Sequence, residues 1–245
     1  MNYYTHGGFF HADEVFGYAI CYISDVCENF VRITDLENIP QDGIVADIGR
    51  EWKPEQNKFD HHHGFFPRPN SVPYASAGML WEKFGEIAVV LQLFKPSDKA
   101  LIQQIKERVD ETLIQGIDAH DADSAYHFEA TCSAGKVRAL SISNIIAMMN
   151  SDDVSDHEAQ RDAFDAASNI AMRIIQQAIK AAEKHIQAKN KFADVAEIDG
   201  PVIVLSEGLP WKEIVHESYP DALFVISPSN HPGNPFSMVA VPVDP

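Results

Sequence analysis

The run Gly43-Ile44-Val45-Ala46-Asp47-Ile48-Gly49 restricts the fold more than any other segment. It is nearly all apolar, on both alternations, so a strand built from it must be covered on two faces. That is the condition of an inner strand in a parallel sheet. The flanking sequence agrees. Asn2 to Thr5 is a short β-prone run that ends in the flexible His6-Gly7-Gly8, and Phe30 to Thr34 reads as another strand. Between them, Asp13 to Ile23 sets Val15, Phe16, Ala19, Ile20 and Ile23 at the spacing of an amphipathic helix. Strands alternating with helices predict an open, parallel α/β sheet. Ligands of such sheets collect just beyond the C-terminal ends of strands, where His6 and Asp47 both fall.

Residues 64–75 form a proline-rich loop that cannot be helical. Helices are predicted at about 76–85, 97–116 and 139–149. A long helical pattern without Gly or Pro follows from Asp156 to Lys191, with one apolar stripe from Phe164 to Ile186. Such a helix either bridges two domains or forms a long core helix of one. Three strand-like runs, 201–205, 223–227 and 237–241, then lie between Gly- and Pro-rich turns and predict a small second α/β unit. The expected division is a metal-binding catalytic domain over 1–154, a connecting helix over 155–192 and a smaller substrate-binding α/β domain over 193–245.

Composition narrows the class of function. The 245 residues are 45% hydrophobic, enough for a sizeable core. No apolar stretch reaches the roughly 18 residues of a membrane span, and the start of the chain carries no secretory pattern. The three cysteines, Cys21, Cys27 and Cys132, are odd in number and lack CxxC spacing. They fit small buried residues in a reducing, cytoplasmic setting. A formal net charge of -17 disfavours a basic groove for long nucleic acid. Small phosphorylated molecules or short single-stranded oligonucleotides suit it better.

Four segments concentrate ligands for hard metal ions. They are His6-Gly-Gly-Phe-Phe-His11-Ala-Asp13-Glu14, then Asp47, then Asp60-His61-His62-His63, then Asp118-Ala-His120-Asp121-Ala-Asp123. Carboxylates with imidazoles and no thiolate suit manganese, magnesium or a non-structural zinc. Taken singly each segment is ordinary: a turn histidine, an aspartate that caps a helix, a solvated acidic run. Jointly, and in this order, they are a stronger signal, and predict one metal-binding cluster if the fold gathers them.

The run His6 to Glu14 resembles the opening motif of the family named after the melanocyte proliferating gene. Val45-Ala-Asp47-Ile-Gly49 and Lys58-Phe-Asp60-His61-His62 resemble its second and third motifs. Ser76 to Gly85 is similar to its next block, Ile117-Asp118-Ala-His-Asp121 to its acidic motif, and Pro210-Trp-Lys212-Glu with Met238 to Pro242 to its later part. The resemblance runs in order from residue 5 to 242. It departs at His63, where the family has Gln, and at Ala122-Asp123, where the family has Asn-Gly. The family falls within the DHH phosphoesterases.

The resemblance therefore implies a DHH-type N-terminal domain and a pair of cations, manganese first and magnesium as the alternative. It implies His11 and Asp13 as metal ligands, with His6 competing for the first motif's role. Asp47 would bridge both ions, and His61 with Asp121 would complete the second site. Asp60, His61 and His62 form the catalytic triplet, in which Asp60 orients the histidines. Lys212 and His231 are candidates for holding substrate phosphate. The expected activity is 3'-to-5' exonuclease cleavage of short single-stranded nucleic acid through a water activated by two metals. The alternatives are a pyrophosphatase or nucleotide phosphohydrolase, and a regulatory metal-binding protein without turnover. The oligomeric state stays open, with a homodimer as one option.

Overall fold

A computed structural model of the chain describes residues 1–93, 98–126, 129–137, 139–229 and 233–242. The strands are β1 (Asn2–His6), β2 (Asn29–Ile33), β3 (Ile44–Ala46), β4 (Trp52–Lys53), β5 (Lys58–Phe59), β6 (Ala130–Cys132), β7 (Gly135–Val137), β8 (Ala196–Asp199), β9 (Val202–Leu205), β10 (Phe224–Pro228) and β11 (Phe236–Ala240). The helices are α1 (Ala12–Ile23), α2 (Ser76–Leu93), α3 (Lys99–Val109), α4 (Gln115–Ala122), α5 (Ile142–Ala147), α6 (His157–Val195) and α7 (Lys212–Ser218). Among the described residues no helix is long and apolar enough to cross a membrane.

The chain divides into two compact units, Met1–Ile179 and Lys180–Pro245, and α6 runs through the division. The first unit is built on a five-stranded sheet of order β2-β1-β3-β5-β4. Three of its four pairings are parallel, and the short β4–β5 edge is antiparallel. The expected parallel α/β sheet is therefore present. The 43–49 run behaves as its composition dictates: Ile44, Val45 and Ala46 are buried, and β3 sits mid-sheet between β1 and β5.

α1 is buried along almost its whole length, more thoroughly than a surface helix with one apolar stripe. It packs so closely that a Cβ on Gly17 would lie 2.5 Å from Tyr3 Oη and 2.9 Å from Leu80. Phe16, Ile20, Leu80 and Trp81 fill the space around it, each at 0–1% exposure, and each contributes roughly 2 kcal/mol of burial. In the second unit, a four-stranded sheet of order β11-β10-β9-β8 packs Ile203, Leu205 and Val225 with Phe192 and Val195 from the end of α6.

Several boundaries differ from the sequence reading. α2 continues eight residues past Gly85 to Leu93, because that glycine makes room for the Trp81 ring, from which a Cβ would lie 3.0 Å, rather than ending the helix. The helix expected over 97–116 instead passes through a π-helical turn at Asp110–Ile114 and runs on as α4 to Ala122. The strand expected over 43–49 is three residues long, since Asp47 turns into the left-handed region at φ 61°. The helix near 139–149 shrinks to Ile142–Ala147. Strands β4, β5 and β8 and helix α7 had no clear sequence signal. The first two hold only two residues each, too few to show an alternation.

Candidate metal centre

Three neighbouring parallel strands end at one edge of the first sheet, and each delivers a polar residue there. β1 ends in His6, β3 is followed at once by Asp47, and β5 by Asp60 and His61. α1 begins just beyond β1 and carries Asp13 and Glu14 in its first turn. α4 adds Asp121.

These side chains converge. His6 Nε2 lies 3.0 Å from Glu14 Oε1 and 3.2 Å from Asp47 Oδ2. His61 Nε2 lies 3.0 Å from Asp121 Oδ2, 3.4 Å from Asp47 Oδ1 and 4.0 Å from Asp13 Oδ2. Two groups bracket Asp47, His6 with His11 and Glu14 on one side and Asp13 with Asp47, His61 and Asp121 on the other, and a third, Asp47 with His61 and His62, overlaps the second; in each, the candidate ligand atoms lie within 4.8 Å of one another. Asp47 turns one carboxylate oxygen toward each group. Its left-handed backbone is tolerated by Asp better than by most residues but still costs about 1 kcal/mol.

Electrostatics explain why such a cluster needs positive charge inside it. Asp13, Glu14 and Asp47 are at most 4% exposed. Burial drives the Asp13 and Glu14 pKa values up, with neighbouring carboxylates adding to the rise at Asp13. Burial would lower the pKa of His6, but Asp47 and Glu14 reverse this and lift it to about 11. At His61, burial is likewise outweighed by Asp121 and Asp47, again to about 11. Asp47, although buried, is held near 2 by the two histidines. Protons on His6 and His61 thus supply the positive charge when nothing else does.

The packing leaves part of this demand unmet. Glu14 Oε2, Asp47 Oδ1 and His61 Nε2 are buried without a hydrogen-bond partner. The carboxylates beside His61 Nε2 are near enough but none lies in line to accept its proton. Buried ligand atoms without partners are costly as they stand and fit divalent cations, for which His61 Nε2 offers its lone pair once its proton has left. The donor set, carboxylate oxygen and imidazole nitrogen without sulfur, suits manganese or magnesium.

Surrounding contacts hold the ligands in place. Asp13 accepts from the Ser76 and Ala77 amides at 2.9 and 2.6 Å, so the N-terminus of α2 fixes its carboxylate. Asp60 accepts from the Arg50 amide at 2.6 Å and from both the amide and Nδ1 of His62, at 2.9 and 2.7 Å. It is outside both four-ligand and three-ligand groupings around Asp47, and its oxygens serve to orient. The loop joining β1 to α1 is braced from behind. Gly8 O accepts from Arg32 Nη2 at 2.9 Å and Gln160 Nε2 at 2.7 Å, while Asn150 pairs with both the N–H and the C=O of Phe10 at 2.8 Å.

Of the residues singled out from sequence, His6, His11, Asp13, Asp47, His61, His62 and Asp121 meet at this edge. Lys212 is exposed at the first position of α7 and belongs to no such group. His231 lies outside the described residues. Glu14 closes the first ligand segment, yet the sequence reading assigned it no metal role of its own. Three residues after His11 it reads as a helix cap, and it does accept from the His11 amide at 2.9 Å, but its second oxygen faces the cluster unpartnered. The clue was a carboxylate beside Val15 and Phe16 in an apolar helix.

The model of the uncharacterised protein family UPF0160, which carries the label MYG1 exonuclease, matches residues 3–245. The chain belongs to this family. The MYG1 exonuclease of Mus musculus is 27% identical over 128 residues, 48% of the chain and 34% of that relative. The human MYG1 exonuclease is 26% identical over the same shares. The Saccharomyces cerevisiae MYG1 protein YER156C is 26% identical over 234 residues, 87% of the chain and 68% of that relative. The match thus spans about a third of the length of the mammalian MYG1 relatives. Among solved structures, a pGpG-specific phosphodiesterase from Vibrio cholerae aligns with 92% of the chain and 76% of its own, at a TM-score of 0.36 and 15% identity. That overlap is too loose to carry weight.

Proposed function

We propose that this MYG1-family chain is a metal-dependent phosphoester hydrolase of the DHH kind, acting on short single-stranded nucleic acid with 3'-to-5' polarity. The observation that carries it is the pair of ligand groups joined by Asp47, with buried Oδ1, His61 Nε2 and Glu14 Oε2 left without partners. His6, His11 and Glu14 would hold one cation; Asp13, His61 and Asp121 would hold the other, with Asp47 shared. Bound divalent ions supply Lewis acidity and neutralise charge at phosphorus.

The chain's own residues then have separable tasks. Asp60 fixes the Nδ1 proton of His62, which leaves Nε2 as the nitrogen through which that half-exposed ring exchanges a proton. The hydrogen bond from Asp60 also raises the His62 pKa, so the ring is suited to deliver a proton to a departing oxygen. Asp13, pinned by the α2 amides, keeps its place when ions enter or leave.

Two predictions follow from the geometry. Cation loading must displace protons from His6 and His61, both lifted to about 11. Their raised values mean protons compete at every pH below that range, so manganese affinity rises with pH between 6 and 9, and loading releases about two protons per chain. An unbuffered titration with a pH electrode reads this directly; loading without proton release contradicts it. The brace behind the β1–α1 loop acts on the same ligands at one remove. Gln160→Leu or Asn150→Ala is expected to weaken manganese binding by roughly tenfold or more in calorimetry. Parent-like affinity would show that the loop holds its shape without them.

The hydrolase reading is tested by incubating manganese-loaded protein with a 5'-labelled single-stranded oligonucleotide and, separately, with pyrophosphate. Progressive shortening that EDTA stops supports it, and the ladder reports polarity. Release of phosphate from pyrophosphate alone would move the assignment to a phosphoanhydride hydrolase. No turnover of either by fully loaded protein would leave metal binding without catalysis.

A further inference from the structure

The cluster opens into a cleft of about 570 Å³ whose wall also contains Arg50 and Leu36. Arg50 is unusual on three counts. Its backbone sits in the left-handed region at φ 54°, where an L-residue with a long side chain is strained and glycine is not. Its amide is tied to Asp60 Oδ2 at 2.6 Å, which fixes its position against the residue that orients His62. Its guanidinium is exposed and, among the described residues, forms no ion pair, although Asp47, Asp60 and Asp121 line the same cleft.

An arginine that shares a cleft with three carboxylates, pairs with none among the described residues and holds a strained backbone position is accounted for by an external partner. The carboxylates are committed to the histidines, to backbone amides and, on the reading above, to cations. A phosphate entering the cleft would find Arg50 as a fork of free donors beside the cluster. Leu36, 57% exposed on the same wall, offers an apolar surface that an inorganic phosphate has no use for but a sugar or base does.

The structure assigns to Arg50 and Leu36, we infer, a nucleotide subsite: Arg50 receives a phosphate next to the one held at the cluster, and Leu36 packs on the attached nucleoside. The inference rests on the proposed hydrolase reading and names its substrate class, a nucleotide chain over pyrophosphate. Arg50 is a specificity residue here, and its contribution belongs to substrate binding.

The test uses the full chain loaded with manganese, with Arg50→Gly, Arg50→Lys and Leu36→Ala as variants. Arg50→Gly relieves the left-handed strain, so its melting midpoint is expected to hold or to rise by about 2 to 4 °C, and its manganese affinity to match the parent. Its KM for a labelled single-stranded hexanucleotide is expected to rise roughly tenfold, with most of the loss in KM, and Arg50→Lys is expected to recover part of it. The slope of binding against salt should fall by about one in anisotropy titrations. Leu36→Ala should weaken the hexanucleotide about threefold and leave pyrophosphate unaffected. An active parent whose KM is unchanged in Arg50→Gly overturns the subsite while leaving the hydrolase reading intact. A loaded parent that neither binds nor cleaves the oligonucleotide overturns both.

Discussion

Asp47→Asn is expected to reduce hydrolysis by roughly a thousandfold or more, the equivalent of several kcal/mol of lost charge stabilisation at phosphorus. The substitution keeps the size of the side chain and removes the charge at the one residue that faces both ligand groups. Asp47 Oδ2 lies 3.2 Å from His6 and Oδ1 lies 3.4 Å from both His61 and His62. An amide supplies one oxygen and one NH2, so it can serve at most one group and presents hydrogens to the other. Calorimetry should show weakened cation binding alongside the lost activity, with the far-UV circular dichroism of the parent retained. Activity within tenfold of the parent would mean that Asp47 does not join two sites.

Gly78→Ala is expected to cost the fold about 3 kcal/mol or more, lowering the melting midpoint by roughly 6 °C or more. A Cβ at this position would overlap Asp118 Oδ2 and lie 2.5 Å from Arg68 Nη2. Both belong to a buried network. Arg68 donates to Asp118 at 2.6 Å, to both oxygens of Asp110 at 2.8 and 2.9 Å, and to Pro73 O at 2.8 Å, while Asp118 also accepts from the Gly78 amide at 2.9 Å. Asp118 is fully buried, and burial lifts its pKa to about 7 even against the pull of Arg68. Prying this pair apart leaves a buried charge without its partner, the costly case for an ion pair. The damage would also reach the candidate metal centre, since Asp121 sits three residues further along α4. A melting curve within 2 °C of the parent would show that α2 and α4 can separate cheaply at this point.

The sequence was most legible where backbone physics leaves little choice. A run apolar on both alternations had to become an inner strand, and the polar residues at strand ends had to meet at one edge once the strands were parallel. His6, Asp47 and His61 were therefore readable in outline. The reading failed where one residue type serves two purposes. Glu14 closes the capping pattern with His11 and has a second buried oxygen without a partner, and neither role was assigned to it within the first ligand segment. Asp118 and Asp121 belong to one acidic run, yet the first is locked to Arg68 and the second meets His61. Nothing in the spacing separates them, because the difference is set by Arg68, fifty residues away in a proline-rich loop. Gly85 looked like a helix end and is a packing accommodation for Trp81. Arg50 carried no pattern at all; only its backbone angle and its place on the cleft wall set it apart.

The most direct measurement is a titration of metal-free protein with manganese while the shortening of a labelled single-stranded oligonucleotide is followed. Two ligand groups sharing Asp47 predict that cleavage stays near zero through the first equivalent and reaches its plateau at about two cations per chain. A plateau at one equivalent would contradict the paired site, and no shortening at saturating manganese would contradict hydrolysis of nucleic acid at this centre.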